Sequence, residues 1–221
     1  VTDHGRDFLA DYPVGVSVGI AVADGVVDQL WHHFNPDVGR AHRHHNYSFI
    51  NGQLETIAGT LAIQIERNGY NALPVPASHP NNEARLEGII SHKLVAHLAG
   101  LGWIGKNSLL ITKAHGPRVR WVTVLTDMPM AGARGTLDDV DRCKACRLCV
   151  DLCPIQAFTG NTFSLEEPLE ARFAPRKCQE YTTEREKRYG SRTCGICVYV
   201  CPHGWSMKRK QNAPRMSPDL L

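Results

Sequence analysis

The sequence predicts an α+β fold in two units, an apolar-cored unit over residues 1–135 and a smaller unit over 136–221 organised around cysteine. Three observations predict it. Val14 to Val22 alternates apolar and small residues as V-G-V-S-V-G-I-A-V, the period of a strand with one face on a core. Leu54, Ile57, Ala58, Leu61, Ala62 and Ile65 fall at helical spacing, and Asn68-Gly69 supplies the stop. All eight cysteines lie beyond residue 142.

A short strand through Leu73 and Val75 follows the first helix, then a Pro/Ser/Asn loop over Pro76 to Asn82. The spacing predicts a second helix from Glu87 to Ala99, ended by Gly100, and strands over Ser108 to Thr112 and Val119 to Thr126. Asp127 to Thr136, with Pro129, Gly132 and Gly135, is the natural boundary between the units.

Cys143, Cys146, Cys149 and Cys153, followed by Pro154, read C-x2-C-x2-C-x3-C-P. This is the bacterial ferredoxin spacing, in which three thiolates hold one [4Fe–4S] cube and the fourth ligates its neighbour. Cross-ligation assigns Cys143, Cys146, Cys149 and Cys201 to cluster one, and Cys153, Cys178, Cys194 and Cys197 to cluster two. Cys178 departs from the pattern, standing sixteen residues before Cys194 instead of three, which implies an inserted Glu/Arg/Lys-rich segment. Pro154 and Pro202 each follow a ligand and suit the first position of a helix. A disulfide framework suits small secreted chains, and structural zinc takes paired C-x2-C knuckles, which a triple array does not form.

The formal charge of +3 falls toward neutrality once each cube, with its four thiolates, adds about −2. Bulk charge therefore gives nucleic-acid binding no support, and Lys208, Arg209, Lys210 and Arg215 read as a solvated basic run. No apolar run reaches the length of a membrane span.

Gly100-Leu101-Gly102-Trp103-Ile104-Gly105 matches G-x-G-x-x-G, and Gly100 to Asn107 approaches a phosphate loop. Both motifs need a strand before and a helix after the glycines, the reverse of the order predicted here. Nucleotide binding is not expected.

Ala99 to Thr112, A-G-L-G-W-I-G-K-N-S-L-L-I-T, followed by G-P-R-V-R-W-V-T-V-L-T-D-M-P and the double cysteine array, resembles the epoxyqueuosine reductases. It is similar also to the reductive dehalogenases. The resemblance covers residues 45–204 and implies a nitroreductase-like α+β domain holding cobalamin, joined to a ferredoxin-like domain with two [4Fe–4S] clusters. It implies electron flow from an external ferredoxin- or flavodoxin-type donor through the cubes to cobalt, which reduces a small or nucleoside-like substrate. Gly102, Trp103, Gly105, Lys106 and Asn107 would lie against the corrin. A flavin (FMN) in the same pocket, or an electron-transfer protein that delivers electrons to a separate protein, are the alternatives.

The resemblance is incomplete. Epoxyqueuosine reductases carry D-S-x-P before the helix leading to the turn, where this chain reads Val75-Pro76-Ala77-Ser78-His79-Pro80 without an aspartate. His79 and Glu87 are the candidate proton donors in that region, with Glu83 and His92 beside them. His32, His33, His42, His44 and His45 read as surface histidines, the last three in a solvated loop before the first helix. The chain ends at Leu221 with no helical-repeat domain and shows no twin-arginine signal, so the expectation is a compact cytoplasmic relative in which nothing supports tRNA binding.

Overall fold

The computed structural model describes residues 8–78, 88–132 and 142–205. The first unit is built from α1 (Phe8–Asp11), β1 (Val14–Ala21), α2 (Asp24–Asp28), a 3-10 turn at Gln29–His32, α3 (Pro36–Arg43), α4 (Asn51–Arg67), β2 (Ala72–Val75), α5 (His92–Leu98), β3 (Trp103–Ile104), β4 (Leu110–Ile111) and β5 (Val119–Thr126). The second contains α6 (Leu148–Asp151), α7 (Pro175–Tyr189), α8 (Ile196–Tyr199) and short 3-10 turns.

Strand order is β1-β5-β2, all antiparallel. Pro74 lacks an N–H for a ladder, and it sits on an edge strand where that costs least. Central β5 is buried continuously from Val122 to Thr126 because helices cover both its faces. On one, Val122 and Val124 pack with Leu54, Ala58, Ala62 and Ile65 of α4. On the other lies α5, whose His92 ring shares a hydrogen bond with Thr123 Oγ1 at 2.9 Å. Among the described residues, no helix is long and apolar enough to cross a membrane.

Several expectations need correction. His42, His44 and His45 are not in a loop: Asn35 Oδ1 accepts the Asp37 N–H at 2.9 Å and Pro36 opens α3, which runs through a π-helical stretch, His44–Ile50, into α4. The polar composition hid it, since capping and i→i+5 bonding leave no apolar stripe. His42 is buried, with Nε2 2.7 Å from Asn46 Nδ2, and burial with the charge of Arg120 pushes its imidazole down to about 4. The second helix begins only at His92, because residues 88–91 form a bend. The strand expected over Ser108 to Thr112 shrinks to Leu110–Ile111, since Ser108 takes φ +55° to close the β3–β4 hairpin. Pro154 begins a turn, not a helix, and Pro202 opens a three-residue 3-10 turn. The unit boundary expected at 135/136 lies outside the described residues.

The two cysteine arms rest directly on the first unit. Val198 and Tyr199 of α8 pack on its main core, and the Trp31 and Tyr199 rings lie 5.8 Å apart. Thr193 Oγ1 donates to the Gly39 carbonyl at 3.2 Å.

Candidate iron–sulfur centre

All eight cysteines are free thiols, and they gather into two sets of four. Cys143, Cys146, Cys149 and Cys201 line one small concavity, together with Lys106, Asn107, Leu148 and His203. Burial pushes the Cys201 thiol up to about 12, with Cys143, Cys149 and Cys146 as its charged neighbours. Cys149 rises to about 12 through burial, then Cys143 and Cys146, with Lys106 pulling the other way.

The second set shows the same grouping. Cys178 is pushed up to about 11 by burial, with Cys194 and Cys153 next to it. Cys197 rises through burial and then the fields of Cys194, Cys178, Cys149 and Cys153. Cys149 is the member of the first set that reaches the second, so the two groups meet there. Each array thus sends its last cysteine, Cys153 or Cys201, to the other group.

Buried thiols that raise one another hold their protons, and only a positive centre among them relieves the crowding as thiolates. Among the described residues no three His, Cys, Asp or Glu side chains converge on a single-ion site. A cube distributes its ligands over four iron corners, which suits a set of four thiols. The donor set fits two [4Fe–4S] clusters.

The segment between the ligands that broke the ferredoxin spacing is α7, which Pro175 opens and Gly190 closes in the left-handed conformation at φ +66°. Cys178 sits in its first turn. Ala157 N–H donates to Cys153 Sγ at 3.3 Å, the kind of sulfur-directed bond that favours thiolate.

The glycine turn forms a wall of the first set. Lys106 Nζ donates to the Lys144 carbonyl between Cys143 and Cys146, and Asn107 Nδ2 donates to the Cys197 carbonyl at 3.2 Å. Trp103 meets His203 edge to face at 4.9 Å. Lys93 Nζ braces the turn through the Ser108 carbonyl at 2.7 Å, and burial followed by the charge of Arg172 brings its amine down to about 8. As the motif context implied, a helix precedes this turn and a strand follows it.

A Cβ at Gly102 would stand 2.3 Å from the Ile111 carbonyl oxygen, and one at Gly105 2.3 Å from Ile111 Cδ1. Both notches are therefore filled by the hairpin itself. What the turn offers a further cofactor is two buried polar atoms, Trp103 Nε1 and Ser108 Oγ, without hydrogen-bond partners among the described residues. On that count the residues present fit a cobalamin at the turn, through polar atoms and not through glycine clearance.

Residues 142–204 match the family model described as a 4Fe-4S double cluster binding domain. An epoxyqueuosine reductase of Pseudomonas aeruginosa is 32% identical over 167 residues, which are 71% of this chain and 40% of that protein. A tetrachloroethene reductive dehalogenase of Dehalobacter restrictus is 31% identical over 156 residues, 67% of this chain and 26% of the relative. Over these stretches the chain is similar to both the epoxyqueuosine reductases and the reductive dehalogenases. It spans about two fifths or less of the length of these relatives.

The fold agrees. A reductive dehalogenase solved for its B12-dependent dehalogenation superposes with a TM-score of 0.62 at 22% identity, covering 87% of this chain and 26% of that one. An epoxyqueuosine reductase solved with a modified tRNA-Tyr stem loop gives 0.52 at 20% identity, covering 72% and 39%.

His79, Glu83 and Glu87 lie outside the described residues. His92 is committed to packing: its second ring nitrogen sits 2.9 Å from the Pro76 carbonyl oxygen, and burial lowers its pKa. His33 is buried, with Nδ1 3.0 Å from the Leu30 carbonyl. Two groups escaped the sequence reading. Arg120 binds Asn51 Oδ1 at 3.2 Å and Ser78 Oγ, with its guanidinium 4.4 Å from the Tyr47 ring centroid. Arg185 of α7 is buried beside the second thiol set, where its charge pulls Cys194 back toward the thiolate.

Proposed function

We propose that this protein is an iron–sulfur oxidoreductase with two [4Fe–4S] clusters serving a bound cobalamin, for the reduction of a small or nucleoside-like substrate. The reading includes the division into a nitroreductase-like unit, 1–135, and a ferredoxin-like unit, 136–221. The observation that carries it is the exchange of Cys153 and Cys201 between the two thiol sets. Cluster one takes Cys143, Cys146, Cys149 and Cys201, and cluster two takes Cys153, Cys178, Cys194 and Cys197.

When bound, the clusters supply single electrons, and cobalamin supplies a metal centre able to cleave a carbon–oxygen or carbon–halogen bond. The protein's own residues position and insulate. Lys106 and Asn107 reach across from the first unit to backbone carbonyls of both arms, which fixes the arms relative to each other. Leu148, Val150 and Ile196 keep water from the sulfur atoms, and that exclusion tunes potential. Gly102, Trp103, Gly105, Lys106 and Asn107 would lie against the corrin, where Trp103 Nε1 and Ser108 Oγ, without hydrogen-bond partners among the described residues, would be the polar atoms offered to it. His79 and Glu87 remain the candidates for protonating the leaving group.

The charge argument against tRNA does not carry over. A structural neighbour holds a tRNA stem loop, so a nucleoside within RNA belongs among the substrate classes to be tried.

A second reading has an observation in its favour. Ile111 fills both glycine notches, which suits an electron-transfer protein that docks on a separate partner. Anaerobic reconstitution decides between them, with iron, sulfide, cobalt and flavin measured on one preparation. The expected result is about eight iron and eight sulfide per chain, together with stoichiometric cobalt. Full clusters with no cobalamin or FMN retained establish the second reading instead.

A further inference from the structure

The run between Cys178 and Cys194 has no counterpart in the compact ferredoxin spacing, and in the structure it carries Arg185 into the interior. Arg185 is 2% exposed. Its Nε–H donates to the Thr193 carbonyl at 2.8 Å, and Nη2 donates to the His33 carbonyl. The rings of Phe34, Tyr181 and Tyr189 surround the guanidinium at 4.8, 5.6 and 5.3 Å. Among the described residues Nη1, also buried, meets no hydrogen-bond acceptor, and no carboxylate pairs with the charge.

A guanidinium so placed lacks its anion. The rings exclude water and attract the cation, but they give Nη1–H no lone pair of the strength it lost from water. The Nε–H edge bonds the residue before Cys194, and the charge of Arg185 acts on the Cys194 thiol, so the guanidinium stands near the second thiol set with Nη1 still unspent.

We propose that Arg185 Nη1 donates a charge-assisted hydrogen bond to the sulfur shell of the cluster held by Cys153, Cys178, Cys194 and Cys197, and thereby raises that cluster's reduction potential. This rests on the two-cluster reading. Taking one electron from an external one-electron reductant moves a cube with four thiolates from about −2 to about −3. A cation fixed beside it in a dry surround stabilises the more negative state more strongly, and a sulfur-directed hydrogen bond acts in the same direction. Arg185 is thus a positioning residue that also sets a potential.

The test is an EPR-monitored redox titration of the reconstituted chain, with Cys178→Ser used to identify which signal belongs to cluster two. In Arg185→Met, the ratio of reduced to oxidised cluster two at a fixed solution potential should fall about tenfold, which is about 59 mV for one electron. Arg185→Lys should shift it less, and cluster one should not move. The wild type grown with ¹⁵N-arginine adds a readout that needs no destabilising variant: pulsed EPR of reduced cluster two should show a ¹⁵N coupling that Arg185→Lys abolishes. Full iron in Arg185→Met with both potentials unmoved overturns the proposal, as does labelled wild type without the coupling. A wild type that takes up no iron after reconstitution instead sinks the two-cluster reading on which it stands.

Discussion

The two thiol sets are walled in different ways. Around Cys143, Cys146, Cys149 and Cys201 the cation comes from far away in sequence, as Lys106 on the glycine turn of the first unit. Around Cys153, Cys178, Cys194 and Cys197 it comes from within the array, as Arg185 on the helix inserted between two ligands. The first set therefore depends on how the two units sit together, whereas the second carries its own wall. Each set has one buried basic side chain whose charge acts on one of its thiols, Lys106 on Cys149 and Arg185 on Cys194, a common electrostatic device behind unlike architectures.

The sharpest break in that comparison is at the exchanged cysteines. Cys153→Ala should lower iron from about eight to about four per chain and remove the same EPR signal as Cys178→Ala, leaving the signal that Cys143→Ala removes. Cys201→Ala should do the opposite. If Cys153→Ala and Cys143→Ala abolish one and the same signal, each array holds its own cube and the two walls have been assigned to the wrong sets.

A smaller effect is expected where each wall meets the backbone of the first unit. Gly116 has φ +54°, and a Cβ there would stand 2.3 Å from Gly204 N, on the turn after Cys201. Gly195 has φ +72°, and its Cβ would stand 2.6 Å from Leu30 Cδ1. A backbone atom cannot swing aside as a methyl can. Gly116→Ala should therefore cost about 3 kcal/mol and Gly195→Ala about 2 kcal/mol. Rates of iron loss on heating give the order, and faster loss from Gly195→Ala would reverse the view that the first wall is the more dependent one.

Cysteine spacing made a double-cluster region legible in the sequence, through the interval from Cys143 to Cys153 and the tail from Cys194 to Cys201, and residues 142–204 match a double cluster binding domain. Strands β1 and β5 and helix α4 were legible for a different reason: each buries one face in a regular period. What stayed hidden lacked such a period. The helical path through His42 to Ile50 is polar and partly π-helical, and α7 reads as a solvated charge run in which nothing marks Arg185 apart from Arg176 or Arg188. Its ends alone carried a signal, Pro175 and Gly190, the asymmetric caps of a helix. Lys106 and Asn107 were legible as candidates, but only the fold shows them turned toward the first thiol set.

Lys106 gives the finest comparison. It is 8% exposed, hydrogen-bonded to the Lys144 carbonyl, and its charge pulls Cys149 toward the thiolate. An ammonium is a point charge without the planar fork of a guanidinium, so it should stabilise the reduced cluster through field more than through a directed N–H···S bond. Lys106→Met should then lower the reduced-to-oxidised ratio of cluster one several-fold at a fixed potential, less than the tenfold expected for cluster two in Arg185→Met. Lys106→Arg should restore most of it, because charge and not shape is what this wall supplies. Loss of potential in Lys106→Arg equal to that in Lys106→Met would show that the bond to Lys144 matters more than the charge, and that the first wall acts by holding the loop between Cys143 and Cys146 in its φ +45° turn at Lys144.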